Sequence, residues 1–348
     1  MEILVNLLLI YIFISMFIDA CKRYKKVTFY INVFILSIIT GTLYELPGNG
    51  GDYDSYRNMF NAMQEFILPD KEIGFYIINF IVKQFSNEYA VAFYIFILIV
   101  NFLIVKMIYK YSYNIELSLM IYVIVAGYIT STNILRQYVA IAIYFYGVKY
   151  LIEKKYFIYI FMCLLAFQFH VTSIIAAVIT PLVIIFNEKI SKHYLLYFIS
   201  INSLIVLEPV IRNIGLQAMG NGYDDGTFFY GSSILHYVVQ VAFVAIYWLS
   251  IKNISDNKTK IFINLATVSS TFTLMSNNMV LYARIASFFN IFHTIALANI
   301  IIVYKNNKER RVVYYLIAVG LAIYYFLLTT KSFNMESYII DYFSTILT

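Results

Sequence analysis

The sequence predicts an all-α fold, a polytopic transmembrane helical bundle of about 12 spans (about 10–13), each needing roughly 20 apolar residues. Three observations predict it. Of the 348 residues 61% are hydrophobic and 13% charged, against about 25% charged in soluble domains. The apolar residues fall in long blocks that are hydrophobic all round, as membrane helices are and amphipathic soluble ones are not. Basic residues occupy alternate gaps between those blocks. Residues 1–348 read as a single transmembrane domain, with external loops near 47–88 and 212–232.

In order, spans are expected near 3–20, 28–46, 89–109, 115–133, 137–152, 156–169, 171–186, 194–211, 233–250, 261–277, 280–304 and 312–330. The first is not expected to be a secretory signal: Met1-Glu2 brings no basic n-region, and Lys22, Arg23, Lys25 and Lys26 follow the apolar run instead. A weaker helix, Ile73 to Phe85, is expected in or near the interface. Residues 156–186 form an apolar stretch of 31 residues, too long for one ordinary span, so a break is expected near His170. Gly48-Asn49-Gly50-Gly51 and Gly220-Asn221-Gly222 mark turns. Cys21 and Cys163 have neither metal-site nor disulfide-framework spacing, and no inverted repeat of the transporter kind is visible.

Orientation follows from the loops. With residues 21–26 inside, 18 of the 25 basic residues fall in cytoplasmic gaps. Arg57, Lys71, Lys83, Arg136, Arg212, Arg284 and Lys331 remain outside, and both termini lie there too. Topology asks for no arginine outside, yet four of the seven are there. Arginine offers a planar fork suited to phosphate, whereas lysine is a point charge. The expected location is therefore a multi-pass inner (plasma) membrane protein of bacterial type whose chemistry faces outward. The net charge of +6 reflects this asymmetry and implies no nucleic acid.

Four places carry candidate chemistry. Asn133, Arg136, Gln137 and Ala140 stand at i, i+3, i+4 and i+7, one helical face at the outer end of an apolar run. An Arg near membrane depth is costly unless it meets a cavity or partner; the alternative is snorkelling to headgroups. His170 lies at the expected outer break, where an imidazole can take a proton from a sugar hydroxyl; the alternative is a packing histidine. Arg284, preceded by Tyr282, starts a long apolar run at a depth resembling that of Arg136, so the two can converge on one anion. Asp52, Tyr53, Asp54, Tyr56 and Arg57 form the densest polar cluster of the first external loop. A carboxylate-x-carboxylate there can hold a divalent cation, orient a sugar hydroxyl or pair with an Arg. No nucleotide phosphate loop, zinc-protease motif or nucleophile elbow is present.

The run Asn133-Ile-Leu-Arg136-Gln137 with Ala140, then Phe169-His170-x-Thr-Ser173, resembles the EpsG/Wzy-type polysaccharide polymerases. So do Gly51-Asp52-Tyr53-Asp54-x-Tyr56 and Tyr282-Ala-Arg284, and the similarity runs in order over nearly the whole chain. The resemblance implies a GT-C-like glycosyltransferase architecture. It implies an enzyme joining undecaprenyl-diphosphate-linked oligosaccharide repeat units into O-antigen (lipopolysaccharide), capsular or exopolysaccharide chains. Its partners are then the lipid-linked donor and acceptor, the bilayer and, as a candidate, a chain-length regulator protein. Carried onto this chain, Arg136, Gln137 and Arg284 bind diphosphate, His170 is the general base and Asp52 orients substrate. Tyr53, Asp54, Tyr56, Asn133 and Tyr282 join the expected substrate-binding set. Transfer is expected to be inverting and to need no cofactor, with a divalent metal at Asp52/Asp54 as the less favoured alternative. The rivals are an O-antigen ligase, a lipid-linked oligosaccharide flippase or other transporter, and a membrane O-acyltransferase.

Overall fold

The structure, a computed structural model, describes residues 25–42, 50–63, 72–128, 130–203, 234–276 and 280–332. The expected span at 3–20 and external loop at 212–232, with Arg212, lie outside the described residues.

Among these residues the fold is all helical. In chain order the helices are α1 (Lys25–Thr42), α2 (Gly50–Ala62), α3 (Ile73–Lys83), α4 (Tyr89–Tyr111), α5 (Ile115–Ile124), α6 (Leu135–Ile152), α7 (Tyr156–Phe167) and α8 (Ser173–Ile185). There follow α9 (Asn187–Lys192), α10 (Tyr194–Ser203), α11 (Ile234–Ile251), α12 (Asn257–Met275), α13 (Val280–Asn290), α14 (His293–Asn299) and α15 (Asn307–Ser332). Short 3-10 turns occupy Thr130–Thr132 and Ile300–Val303.

Helix α4 is the axis of the packing. Its 23 residues carry no charge before Lys106, and at 1.5 Å per residue they cover roughly 35 Å, enough for the hydrocarbon core. Phe93, Phe96, Ile97, Ile104 and Val105 are wholly buried, and α4 packs against both α1 and α6. Buried amides and hydroxyls pair between helices, as they must where no water reaches. Asn101 Nδ2 donates to Ser37 Oγ at 3.3 Å, Tyr122 Oη to Asn101 Oδ1 at 2.9 Å, and Ser118 Oγ to the Thr294 carbonyl at 2.7 Å. The outer helices are inverted relative to a soluble protein. Phe157 and Phe161 on α7, Ile185 at the end of α8, and Leu316 on α15 all face outward, which suits lipid and not water.

The spans differ from expectation in length. Only α4 and residues Asn307–Leu327 of α15 are individually long and apolar enough to cross a membrane, among the described residues. A third crossing arises if α13 and Ile300–Val303 with α14 count as one broken span. The expected pair at 156–186 is a pair of helices of 12 and 13 residues, split near His170 as the length of the stretch requires. The run 280–304 is not one long helix: it bends by 48° between α13 and α14. Asn290 Nδ2 donates there to the Val125 carbonyl at 2.7 Å, and His293 is wholly buried beside Tyr247. Gly50 and Gly51, expected in a turn, open helix α2 instead.

Candidate functional site

The site grows from α2. Asp52 sits in its first turn, where the helix N-terminus favours a negative charge. Tyr53, Tyr56 and Phe60 repeat at helical spacing and are buried. The Tyr53 ring lies 5.2 Å from both Tyr89 and Phe93, and Tyr56 lies 5.1 Å from Phe75. This buried face turns Asp52 and Tyr56, one helical step of four apart, toward the N-terminus of α6. Asp54 turns the other way and forms a half-exposed ion pair with Arg57 at 2.9 Å. The two carboxylates of the expected metal alternative thus point apart, because i and i+2 lie on different sides of a helix.

Helix α6 begins at Leu135, so Asn133 precedes it and does not share its face as expected. The turn before it passes through Gly127 at φ 79°, where a Cβ would overlap the Tyr138 hydroxyl. Asn133 Oδ1 instead accepts from the Asp52 backbone N–H at 3.4 Å, pinning α2 to this turn. Arg136 is in the first turn of α6. Its Nε donates to Tyr56 Oη at 3.3 Å, and its guanidinium lies 5.1 Å from the Tyr56 ring centre and 5.8 Å from that of Phe75. Another guanidinium nitrogen is bonded to the Glu72 carboxylate. Tyr56 Oη in turn donates to Asp52 Oδ2 at 3.4 Å. Burial raises the Tyr56 pKa and Arg136 partly offsets that, so the phenol stays protonated.

Glu72 immediately precedes α3 with φ 59° and ψ 40°, a left-handed conformation a non-glycine residue adopts only under constraint. The constraint is visible. The Gly74 N–H donates to the Gln168 carbonyl at 3.0 Å, and a Cβ on Gly74 would meet the Phe169 ring at 3.0 Å. The start of α3 is therefore docked on the turn that carries His170.

His170 lies between α7 and α8 and is only 8% exposed. Its Nδ1 is 2.7 Å from Thr172 Oγ1 and accepts from the Thr172 backbone N–H at 3.4 Å, which leaves Nε2 for the cavity. A backbone N–H can only donate, so that contact needs a bare Nδ1 and puts the neutral ring's proton on Nε2. The hydroxyl is indifferent, since it can donate to a bare Nδ1 or accept from Nδ1–H. Burial, then Arg284 and Arg136, push the His170 pKa down to about 3, so the ring is neutral at physiological pH.

Arg284 lies on α13, and its carbonyl accepts from Gln137 Nε2 at 2.9 Å. That bond ties the first turn of α6 to α13. Asp52, Tyr56, Glu72, Arg136, Gln137, His170, Arg284 and Ile134 line one cavity of about 190 Å³. It is below the roughly 300–1,000 Å³ of a small-molecule pocket. Six of the ten expected site residues meet here. Asn133 supports the site through α2, while Tyr53 belongs to the aromatic core and Asp54 to the outer surface. Tyr282 is buried with its ring 6.3 Å from Phe272. Glu72 and Thr172 are the additions. Glu72 stands in an acidic external stretch, but nothing local marks its pairing with Arg136, 64 residues away.

A chain that is all helical among the described residues, with apolar outer faces, polar bonds inside and a cavity lined by two arginines and two carboxylates, is a membrane protein with a charged internal cavity. It belongs to the EpsG family, whose model matches residues 26–344, nearly the whole chain. That membership gives it a polysaccharide polymerase-type role in polysaccharide biosynthesis. No curated protein and no solved structure matches the chain.

Proposed function

We propose that this protein is a membrane glycosyltransferase that polymerises undecaprenyl-diphosphate-linked oligosaccharide repeat units on the outer face of the bacterial inner membrane. The product is an O-antigen, capsular or exopolysaccharide chain. The observation that carries this reading is the convergence of Arg136, Arg284 and His170 on one cavity, although they come from three separate parts of the sequence.

In the proposed reaction the acceptor hydroxyl attacks the donor's anomeric carbon in line with the leaving group. The bond from that carbon to the diphosphate oxygen breaks, and its electron pair leaves with the diphosphate. Arg136 and Arg284 bind that developing charge, a task that preorganised guanidinium donors perform in a low-dielectric site. Gln137 sets the spacing of the two arginines through its bond to the Arg284 carbonyl. Glu72, bonded to Arg136, holds the place the diphosphate takes on arrival. Asp52 orients a sugar hydroxyl. The acceptor's proton goes to His170 Nε2, for which the ring must leave its resting tautomer: the hydrogen moves to Nδ1, the contact with the Thr172 backbone N–H is given up, and the Thr172 hydroxyl accepts from Nδ1–H instead. One displacement inverts the anomeric configuration.

Purified protein supplied with lipid-linked repeat units tests the reading. Polymer should form in excess EDTA with inverted linkages. Arg136→Lys and Arg284→Lys, which keep charge and lose the fork, should each abolish or severely reduce it at normal protein level. Full-length polymer from the lysine variants would reduce these residues to interfacial anchors. Activity that vanishes in EDTA and returns with magnesium or manganese would move the chemistry to a metal.

A further inference from the structure

A second cavity lies away from the arginines. It is an open groove of about 790 Å³ between α1 and α4, with Tyr30, Val33 and Phe34 on one wall and Leu98, Phe102 and Leu103 on the other. The two helices run antiparallel, since Asn32 bonds Tyr109 near one end and Asn101 bonds Ser37 further along. The walls are apolar, but one end is basic on both sides. Lys26 stands four residues before Tyr30 on α1, and Lys106 four residues after Phe102 on α4, so each lies on the groove's own helical face. Both lysines are exposed. Lys106 Nζ is 5.1 Å from the Phe102 ring centre and 5.3 Å from that of Tyr146 on α6. Lys149 Nζ approaches the same Tyr146 ring at 3.7 Å. Among the described residues Lys26, Lys106 and Lys149 form no ion pair. The carboxylate of that region, Glu153, is held by Lys110 and by Lys155, the latter at 2.8 Å.

We propose that this groove binds one anionic phospholipid of the cytoplasmic leaflet, its acyl chain along Phe34 and Phe102 and its phosphate against Lys26 and Lys106. Charge selects this occupant. Ammonium groups with no carboxylate partner among the described residues, at the end of an apolar groove, call for a ligand that is apolar along its length and anionic at one end. An isoprenoid tail threaded from the outer site brings no charge to that end, and an apolar helix brings none either. The excess of basic residues on that side assigns it to the cytoplasm. The site is thus separate from the outer cavity in position, leaflet and chemistry, and it stands whether or not the polymerase reading holds.

Native mass spectrometry of the full chain in detergent tests it, with phosphatidylglycerol and phosphatidylcholine of matched acyl chains as probes. The wild type should retain one phosphatidylglycerol at concentrations about ten-fold below those needed for phosphatidylcholine. A double Lys26→Ala/Lys106→Ala variant should lose that preference, and Lys26→Arg/Lys106→Arg should keep it, which controls for folding. Ile99→Trp, which fills the groove, should weaken retention of both lipids. Equal retention of the two lipids by the wild type overturns the assignment, as does an unchanged preference in the double alanine variant. So does Ile99→Trp retaining phosphatidylglycerol as the wild type does. Displacement of phosphatidylglycerol by an equal concentration of undecaprenyl phosphate would give the groove to the prenyl chain instead.

Discussion

In the proposed reaction His170 is the base, and Thr172→Val tests the tautomer that this role needs. The substitution removes the hydroxyl 2.7 Å from Nδ1 and keeps the backbone N–H at 3.4 Å. Among the described residues, the polar group that Nδ1 keeps in the variant is one that donates. The neutral ring then holds its proton on Nε2 and presents a donor, not a base, to the acceptor hydroxyl. Reaching the other tautomer would strand a buried Nδ1–H, at about 1–3 kcal/mol. That lowers the base-competent fraction by about 5- to 160-fold. Loss of the base altogether, as in His170→Ala, lowers rate by about 10²–10⁴-fold, so the valine variant should lie between that and the wild type. The assay is the initial rate of polymer formation by purified protein over a range of donor concentrations. We expect kcat to fall and KM to stay close to the wild-type value, because Thr172 does not line the cavity. Thr172→Ser, which returns the hydroxyl, should recover kcat. A valine variant with wild-type kcat would refute the reasoning, since the ring would not then need Nδ1–H. Equal losses in serine and valine variants would also refute it, by showing that packing and not the hydroxyl matters.

Glu72→Gln removes the internal anion from Arg136, so donor KM should fall or hold; a large rise measured by the same assay would make Glu72 a support that the arginine cannot do without. The His170 pKa is pushed down to about 3 by burial and then by the two arginine charges. A bound diphosphate offsets those charges and raises it. Proton loss is needed for a base, so activity falls as pH drops through this pKa, and the acid limb of kcat should lie at higher pH than that of kcat/KM; coincident limbs would exclude His170 as the group titrating. Asp52→Asn should slow polymerisation, whereas Asp54→Asn, which breaks a half-exposed pair with Arg57, should leave both rate and thermal stability near wild type. Equal effects of the two on rate would mean that the opposed directions of these carboxylates do not matter.

Much of the fold was legible because membrane helices announce themselves by length and by what interrupts them. The stretch 156–186 was too long to be one span, and its break falls at His170. The helix at Ile73 was visible from its apolar run. The bend between α13 and α14 was not, because residues 280–304 contain no proline or glycine to mark a break. It depends on contacts with other helices, among them the bond from Asn290 to Val125. Helix α2 was misread from its paired glycines, although Tyr53, Tyr56 and Phe60 already carried the helical spacing that turns Asp52 inward and Asp54 outward. The charged site residues were legible singly, since an arginine or histidine amid apolar residues needs a reason. Their partners were not: Glu72 reaches Arg136 only through tertiary packing, and the part played by Thr172 depends on one ring nitrogen.

The tie from Gln137 to Arg284 runs from a side chain to a backbone carbonyl. Whatever residue stands at 284 offers the same carbonyl, so the junction between α6 and α13 does not depend on the arginine it positions. Position 137 has no such freedom, since it must supply an N–H at the right reach. A substitution at 284 can therefore change the charge in the cavity while leaving this junction in place. Drift at 137 would instead loosen both arginines at once.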